Sequence, residues 1–298
     1  KGIGTGFSTE ILPYNPLTII DYLKQKLIDG DTSSIDFVPY WNGFKGSVIK
    51  ENNKFVVKGV YSKKGKDKLH ISELPVGFWT DDFKQLLESL TETVNSSGKK
   101  VKPYIKDYND MSQSTNIDIE ITFHPGLLDK MENSDIEKLL KLTTTFSTSN
   151  MHLFNDKDKL VKYDNVESII NDYYDVRLLG YEKRKQYMID TLTQELKVLY
   201  NKKKYIEEIL NDTLDLRKKK KDEIMNILEN KSYDKMDGEY NYLIKMPMDS
   251  VSEENVENIN NNYKKKDEEL KLVKSTTEKQ MWLQELNVLQ TEYNKIFK

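Results

Sequence analysis

Two stretches combine residue types that could grip a stacked or anionic partner. Gly2-Ile3-Gly4-Thr5-Gly6-Phe7 sets a branched apolar side chain between glycines, on a backbone thin enough for close approach or positive φ. Taken alone, Ile3 reads as a buried core residue. A nucleotide loop is a poor reading, because the spacing is not G-x-G-x-x-G and no strand precedes it in the chain. The second stretch is Lys141-Leu142-Thr143-Thr144-Thr145-Phe146-Ser147-Thr148-Ser149-Asn150, a run of hydroxyls with one lysine and one aromatic. Such a run can donate hydrogen bonds to phosphates and position a duplex without reading its bases. An ordinary polar strand or loop accounts for it equally well.

Bond-making chemistry is harder to find. The histidines are His70, His124 and His152, and none is spaced with a carboxylate or another histidine in a metal-ligand pattern. Serine-nucleophile elbows, phosphate-binding Walker loops and H-E-x-x-H helices are missing from the sequence. Asp29-Gly30-Asp31 lacks the ligand ladder of a calcium loop and reads as a turn. There is no cysteine, hence no disulfide framework and no thiolate chemistry, which favours an intracellular protein. No apolar run reaches the ~20 residues that span a bilayer, and no signal-peptide segment is present, so no membrane association is expected. Lys1-Gly-Ile-Gly, with neither an initiator Met nor a leader, looks like a cut inside a longer protein.

Charge is locally uneven. The 298 residues carry a formal net charge of -3, so no overall basic field points to nucleic acid. From Lys45 to Lys68, however, eight lysines face only Glu51 and Asp67, four of them in a predicted hairpin turn at 63–68. Arg217-Lys218-Lys219-Lys220-Lys221 is followed at once by Asp222-Glu223 and reads as a solvated helix face.

The elements that must position these residues follow from periodicity. Asn15-Pro16 opens a helix, with Asn15 as cap, Leu17, Ile20, Leu23 and Leu27 as its buried face, and Gly30 beyond its end. Residues 55–61 and 69–74 read as strands joined by the lysine-rich turn. Thr80-Asp81-Asp82 caps a helix carrying Phe83, Leu86, Leu87, Leu90 and Val94, with a loop at Ser96–Lys100. Ile117, Ile119, Ile121 and Phe123 alternate as a half-buried strand, and Ser134 caps a short helix through Leu140.

A long helical arm follows. Ile169, Tyr173, Val176, Met188, Leu192, Leu196, Leu199, Ile206 and Leu210 step by threes and fours, the seam of a coiled coil. A second stripe runs through Val256, Ile259, Tyr263, Leu270 and Val273, and then Trp282, Leu286, Leu289, Tyr293 and Ile296. A helix over 165–217 would be roughly 80 Å long at ~1.5 Å per residue, too long for one globular core. An arm that goes out and comes back is expected, flexing at Gly180 and at a polar break near Lys266. The apolar clusters between 218 and 248 are too many for a plain loop and read as a small knob or a self-pairing patch. These features alone describe a mixed α/β domain on a coiled-coil stalk, suited to binding or to a non-enzymatic dimerisation or adaptor role.

Several blocks together resemble the type IIA DNA topoisomerases, specifically the eukaryotic-type topoisomerase II. They are Gly2–Phe7, Pro39-Tyr-Trp-Asn-Gly-Phe-Lys-Gly46, Ile71-Ser-Glu-Leu-Pro-Val-Gly-Phe-Trp-Thr80, Lys141–Phe154, Val176-Arg-Leu with Tyr181 and Arg184-Lys185, Tyr242-Leu-Ile-Lys-Met-Pro247, and Met281-Trp-Leu-Gln-Glu-Leu286. They fall in the family's order along essentially the whole chain.

The resemblance implies an α+β fold: the end of a winged-helix module at 1–14, a mixed tower domain at 15–155, and an outgoing coiled-coil helix at 156–217. A C-gate dimerisation knob at 218–250 and a returning helix at 251–298 complete it. It implies that Ile3 inserts between base pairs and bends the gate DNA. Lys141, Leu142, Thr143, Thr144, Thr145, Phe146, Ser147, Thr148, Ser149 and Asn150 correspond to the tower segment that contacts the DNA. Lys1 departs from the acid usual in the family. The partners implied are double-stranded DNA and a second copy through the C-gate, in the nucleus or at a viral DNA replication site. The resemblance puts the catalytic tyrosine, the magnesium-binding carboxylates and the ATPase before Lys1. Mg2+ and ATP therefore serve the full-length enzyme, with none bound by this stretch and no catalytic residue among its 18 tyrosines.

Overall fold

The computed structural model describes residues 1–93 and 102–297 and divides into two units, 1–173 and 174–298. The expected Val94 contact and the loop at 96–100 lie outside the described residues. The α+β class is as expected: strands fill the first unit and helices the second.

The first unit opens with a hairpin of β1 (Gly2–Gly4) and β2 (Phe7–Thr9), followed by α1 (Pro16–Ile28). Asn15 caps α1 as expected, its Oδ1 accepting the Leu17 N–H at 2.9 Å. Ile20, Tyr22, Leu23 and Leu27 are buried, and the Tyr22 hydroxyl donates to Asn171 Oδ1 at 3.0 Å.

Two antiparallel sheets follow. One has the order β3-β4-β9, with β3 Ser47–Glu51, β4 Lys54–Lys58 and β9 Thr143–Ser147. The other has the order β5-β6-β8-β7, with β5 Val60–Lys63, β6 Lys68–Glu73, β7 Ile105–Asp110 and β8 Ile119–Phe123. The single strand expected at 55–61 is thus two strands in different sheets, parted at Gly59. The reason is crowding. A Cβ on Gly59 would lie 2.4 Å from the Glu73 carbonyl oxygen, and its N–H donates to the Leu142 carbonyl at 3.0 Å. Three backbone segments meet there with no space for a side chain.

Behind the four-stranded sheet lie α2 (Thr80–Thr91) and α3 (Asn133–Leu139). With Leu142 they close a core of Leu69, Ile71, Phe83, Leu87, Ile119, Ile121 and Phe123 among others. Both N-caps fall one or two residues before those expected: Trp79 and Glu132, with Thr80 and Ser134 already in the first turn. A second hairpin, β10 (Met151–Phe154) and β11 (Leu160–Tyr163), precedes α4 (Val166–Leu210).

In the second unit α4 pairs with α7 (Glu253–Ser275) and α8 (Glu278–Ile296). Lys266 meets Glu195 at 2.5 Å, Lys185 meets Glu278 at 3.1 Å and Arg184 meets Glu285 at 2.6 Å. Partner numbers fall as those in α4 rise, so the pairing is antiparallel and within one chain. Leu192 and Leu196 pack with Leu270 and Val273, while Trp282 stacks on Tyr181 at 5.6 Å between centroids.

Three expectations need correction here. The buried stripe at the start of α4 is Val166, Ile170, Tyr174 and Tyr181, whereas Tyr173 and Val176 are exposed. The break in the returning strand of the arm is at Thr276–Thr277, not near Lys266, which sits inside α7. At the break Ser275 and Thr276 hydroxyls both donate to the Leu272 carbonyl, and Thr277 forms a capping box with Gln280. Finally, α4 ends at Leu210, and Arg217 lies in a turn where its guanidinium holds Asp215 at 2.9 Å, so the basic run precedes a helix instead of lining one.

Between α4 and α7, α5 (Lys221–Asn230) and α6 (Asn241–Ile244) surround a small core of Tyr205, Leu214, Leu228, Tyr233, Tyr240 and Leu243. Asn201, fully buried, donates to Asp234 Oδ2 and to the Lys197 carbonyl, both at 2.9 Å.

Two substitutions test this architecture by denaturant unfolding. Gly59→Ala should lower stability by about 1–3 kcal/mol, because a methyl group must displace backbone; an unchanged midpoint would contradict the crowding. Asn201→Ala should cost about 1–3 kcal/mol by stranding Asp234, and a neutral result would remove Asn201 as the clasp between α4 and the small core.

Candidate nucleic-acid interface

The β1–β2 hairpin pairs Gly2 with Thr9, Ile3 with Ser8 and Gly4 with Phe7, leaving a two-residue turn. Ile3 is 89% exposed, so the core reading of this residue is corrected. The glycine beside it has a local reason to be there. A Cβ on Gly4 would lie 2.4 Å from the Phe7 ring, which therefore lies across the bare backbone of its partner strand. Phe7 in turn meets Phe154 edge-on at 5.8 Å. By the register, Phe7 and Ile3 lie on opposite faces of the hairpin, the ring against Phe154 of β10 and the isoleucine in solvent.

The hydroxyl run is largely a strand. β9 lies at one edge of its sheet, antiparallel to β4, with Phe55 opposite Phe146, Val56 opposite Thr145, Val57 opposite Thr144, Lys58 opposite Thr143 and Lys54 opposite Ser147. Residues directly opposite share a face. Thr144 and Phe146 therefore lie with the buried Phe55 and Val57, and Phe146 packs on Trp41 at 5.5 Å. Thr143, Thr145 and Ser147 share the other face with Lys54 and Lys58. Sequence reasoning missed those two lysines, because only the strand register brings them beside the hydroxyls.

The ten residues of the run are not equivalent. Leu142 is fully buried in the core and is corrected from a contact to an anchor, since burial leaves its side chain no surface to offer. Lys141 is exposed, has a left-handed φ of 50°, and has no ion-pair partner among the described residues. Thr148 is spent internally, its hydroxyl and its N–H both donating to the Asn53 carbonyl at 3.0 Å. Ser147 and Ser149 place their hydroxyls 2.8 Å apart on the surface. Lys58 is committed to Glu137 at 2.9 Å, which raises its pKa, and Lys54 lies 3.4 Å from Glu51.

Asn150 joins the two stretches. Its carbonyl accepts the Glu10 N–H at 2.8 Å and its Nδ2 donates to Ser8 Oγ at 3.1 Å. Thr9 Oγ1 accepts the His152 N–H at 3.1 Å. The hairpin bearing Ile3 is thereby stitched to the end of the hydroxyl run. Ser8, Thr9 and His152 carry no motif, and their part could be read only from contacts made more than 140 positions apart in sequence. In the lysine-rich hairpin, Lys63 reaches the Met131 carbonyl at 3.2 Å and Lys68 reaches Glu120 at 2.6 Å, while Lys64 and Lys66 stay exposed.

Nucleophilic chemistry finds no support in these side chains. Burial raises Tyr14 to about 12, and the hydrogen bond to Asp172 does the same for Tyr163. Burial also pushes Tyr233 up. A hydroxyl held protonated suits structure better than attack. Among the described residues no three His, Asp or Glu side chains converge on a point that could hold a metal ion.

Comparison with known proteins gives these features a family. The family model for the DNA gyrase/topoisomerase IV A-subunit matches residues 1–287. DNA topoisomerase 2 of Plasmodium falciparum is 33% identical over 96% of this chain, and that of Acanthamoeba polyphaga mimivirus 28% identical over 99%. The chain spans 22% and 28% of the lengths of those relatives. The crystal structure of the Plasmodium falciparum topoisomerase II DNA-binding, cleavage and re-ligation domain superposes with a TM-score of 0.77 at 32% identity, covering 98% of this chain and 43% of that one. A family match over nearly the full length, joined to a solved fold of the same order, leaves a single conclusion: the chain belongs to the type IIA DNA topoisomerases and corresponds to part of their DNA-binding and cleavage core.

Proposed function

We propose that the chain is part of an ATP-dependent type II DNA topoisomerase, which passes one duplex through a transient double-strand break in another. Residues 1–173 hold and bend the duplex that is cut. Residues 1–14 end the winged-helix module and 15–155 form the tower. Residues 156–217 and 251–298 make the two sides of the arm, and 218–250 form the gate through which a second copy of the chain pairs. The solved relative is described as a DNA-binding, cleavage and re-ligation domain, and that role is carried over here.

The observation that carries the reading is Ile3, 89% exposed on a hairpin fixed to the hydroxyl-bearing segment. The side chain stands in solvent while the residues beside it are bonded to the chain, which leaves it free to meet a partner. An apolar wedge between base pairs unstacks one step at a cost of a few kcal/mol and bends the duplex against more protein surface. Lys141, Thr143, Thr145, Ser147 and Ser149 offer a cation and hydroxyls to the phosphates, which hold the duplex without reading its sequence. Phe146, Thr144, Thr148 and Asn150 shape that segment from behind. An adaptor that merely dimerised would give no reason for the exposed wedge.

Magnesium and ATP serve cleavage and strand passage in the complete protein. The described residues bring no three metal-ligating side chains together. No described helix is long and apolar enough to cross a membrane. The site of action is the nucleus or a viral DNA replication site.

Two variants of the complete protein test the reading. Ile3→Ala should reduce bending of an end-labelled duplex and slow relaxation of supercoiled DNA; bending and relaxation both at wild-type level would refute the wedge. Lys141→Asn removes the charge while keeping a residue tolerant of left-handed backbone. It should weaken binding alike on all sequences and reduce the slope of log affinity against log salt by about 1. Loss on some sequences only would contradict a phosphate contact.

A further inference from the structure

Two polar side chains behind the wedge are unexplained by phosphate binding. Asn150 and His152 flank the buried Met151; the Asn150 amide reaches Ser8 of the hairpin, and the His152 ring reaches the Asn150 amide. The Asn150 carbonyl takes the Glu10 N–H at 2.8 Å, and the Thr9 hydroxyl donates to the same oxygen at 3.5 Å. Its Nδ2 points at Ser8 Oγ, 3.1 Å away, and Ser8 lies directly opposite Ile3 in the hairpin. That leaves Asn150 Oδ1 facing His152 Nδ1 at 2.9 Å. The two can bond only when Nδ1 carries the proton, a condition met by one neutral tautomer and by the cation. His152 is fixed in its turn, its main-chain N–H donating to Thr9 Oγ1 at 3.1 Å and its strand paired with Lys162.

We infer that His152 is a positioning residue for the wedge: by locking the Asn150 amide it holds the Ser8 side of the hairpin, and so the direction in which Ile3 projects. Without its bond to His152, the Asn150 side chain loses the contact that sets its rotamer. The hairpin then keeps its backbone link, the Thr9 hydroxyl on the His152 N–H and the ring contact of Phe7 with Phe154, but loses the side-chain tie at Ser8. Three-residue strands have little stability of their own, and a wedge that swings spreads its force over many angles. This inference rests on the wedge reading of Ile3.

The test uses the complete protein and isosteric chemistry. The amide nitrogen of asparagine occupies the place of a histidine Nδ1, so His152→Asn keeps a donor toward Asn150 whereas His152→Leu loses it. Hydrogen exchange of the peptide covering residues 1–10 should be about tenfold faster in His152→Leu, the loss of roughly one net hydrogen bond, and near wild type in His152→Asn. Ser8→Ala, a trim at an exposed position, should loosen the same peptide and carries the test if His152→Leu unfolds the chain. On a duplex of about 30 base pairs with dyes at its ends, His152→Leu and Ser8→Ala should bend less and His152→Asn should bend as wild type. Wild-type exchange in both His152→Leu and Ser8→Ala would overturn the inference, as would equal loosening in His152→Asn and His152→Leu. Normal bending by His152→Leu alongside reduced bending by Ile3→Ala would overturn it while leaving the wedge standing. Normal bending by Ile3→Ala would remove the wedge and the positioning role together.

Discussion

The exposure of Ile3 is a constraint that the hairpin carrying it has to satisfy. Burying such a side chain is worth about 1.5–3 kcal/mol, and folding forgoes that gain at Ile3. Two strands of three residues cannot enforce the arrangement by themselves, since isolated hairpins are marginal in water. The enforcement comes from elsewhere in the chain. Asn150 binds both Ser8 and Glu10, and Phe154 gives Phe7 a surface to lie on. Those contacts hold the hairpin in place and leave Ile3 in solvent.

The strand beside the hairpin's anchor belongs to a chain that changes sheets. β9 must end where the hairpin begins, and it is placed by β4, which also carries the lysines of the outer face. β4 continues into β5, which belongs to the other sheet and its packed core. Gly59 lets one chain serve both sheets, because a residue with no side chain can sit against the Glu73 carbonyl and still donate to Leu142. Leu142, buried in the core of the second sheet, directly precedes Thr143, the first outward hydroxyl of β9. Rigidity is thus passed from a packed core to an exposed strand over very few residues.

Much of this was legible in the sequence. The cap at Asn15, the alternation of Ile119, Ile121 and Phe123, and the block order that identified the family needed only local pattern. What was missed has definite causes. Ile169-Ile170 and Tyr173-Tyr174 are doublets, so a stripe can be drawn through either member, and only tertiary packing selects Ile170 and Tyr174, the latter against Trp282. The break carries a Thr277-x-x-Gln280 capping signature, whereas the polar run near Lys266 lies inside α7, where its lysines are solvated or paired, and charge does not end a helix. The split at Gly59 required knowing where Glu73 and Leu142 come to lie. Lys54 and Lys58 became part of the outer face through register, and register is a property of two strands.

If Ile3 is the proposed wedge, energetics make wedge and hydroxyl face one device. Taking Ile3 from water into a base step recovers about 1.5–3 kcal/mol of hydrophobic free energy, while parting the step costs a few kcal/mol. The two nearly cancel, so an isoleucine alone neither binds nor bends DNA to useful extent. The surplus has to come from phosphate contacts, which are sequence-independent and weaken with salt. Those contacts can drive the kink only if their distance from the wedge is fixed, because a flexible connection would let the duplex stay straight and keep the same phosphates. A hairpin bonded at Ser8, Thr9 and Glu10 to the end of the hydroxyl run meets that condition. Under the proposed function, the link through Asn150 is therefore what turns two weak binding elements into one that can bend a duplex.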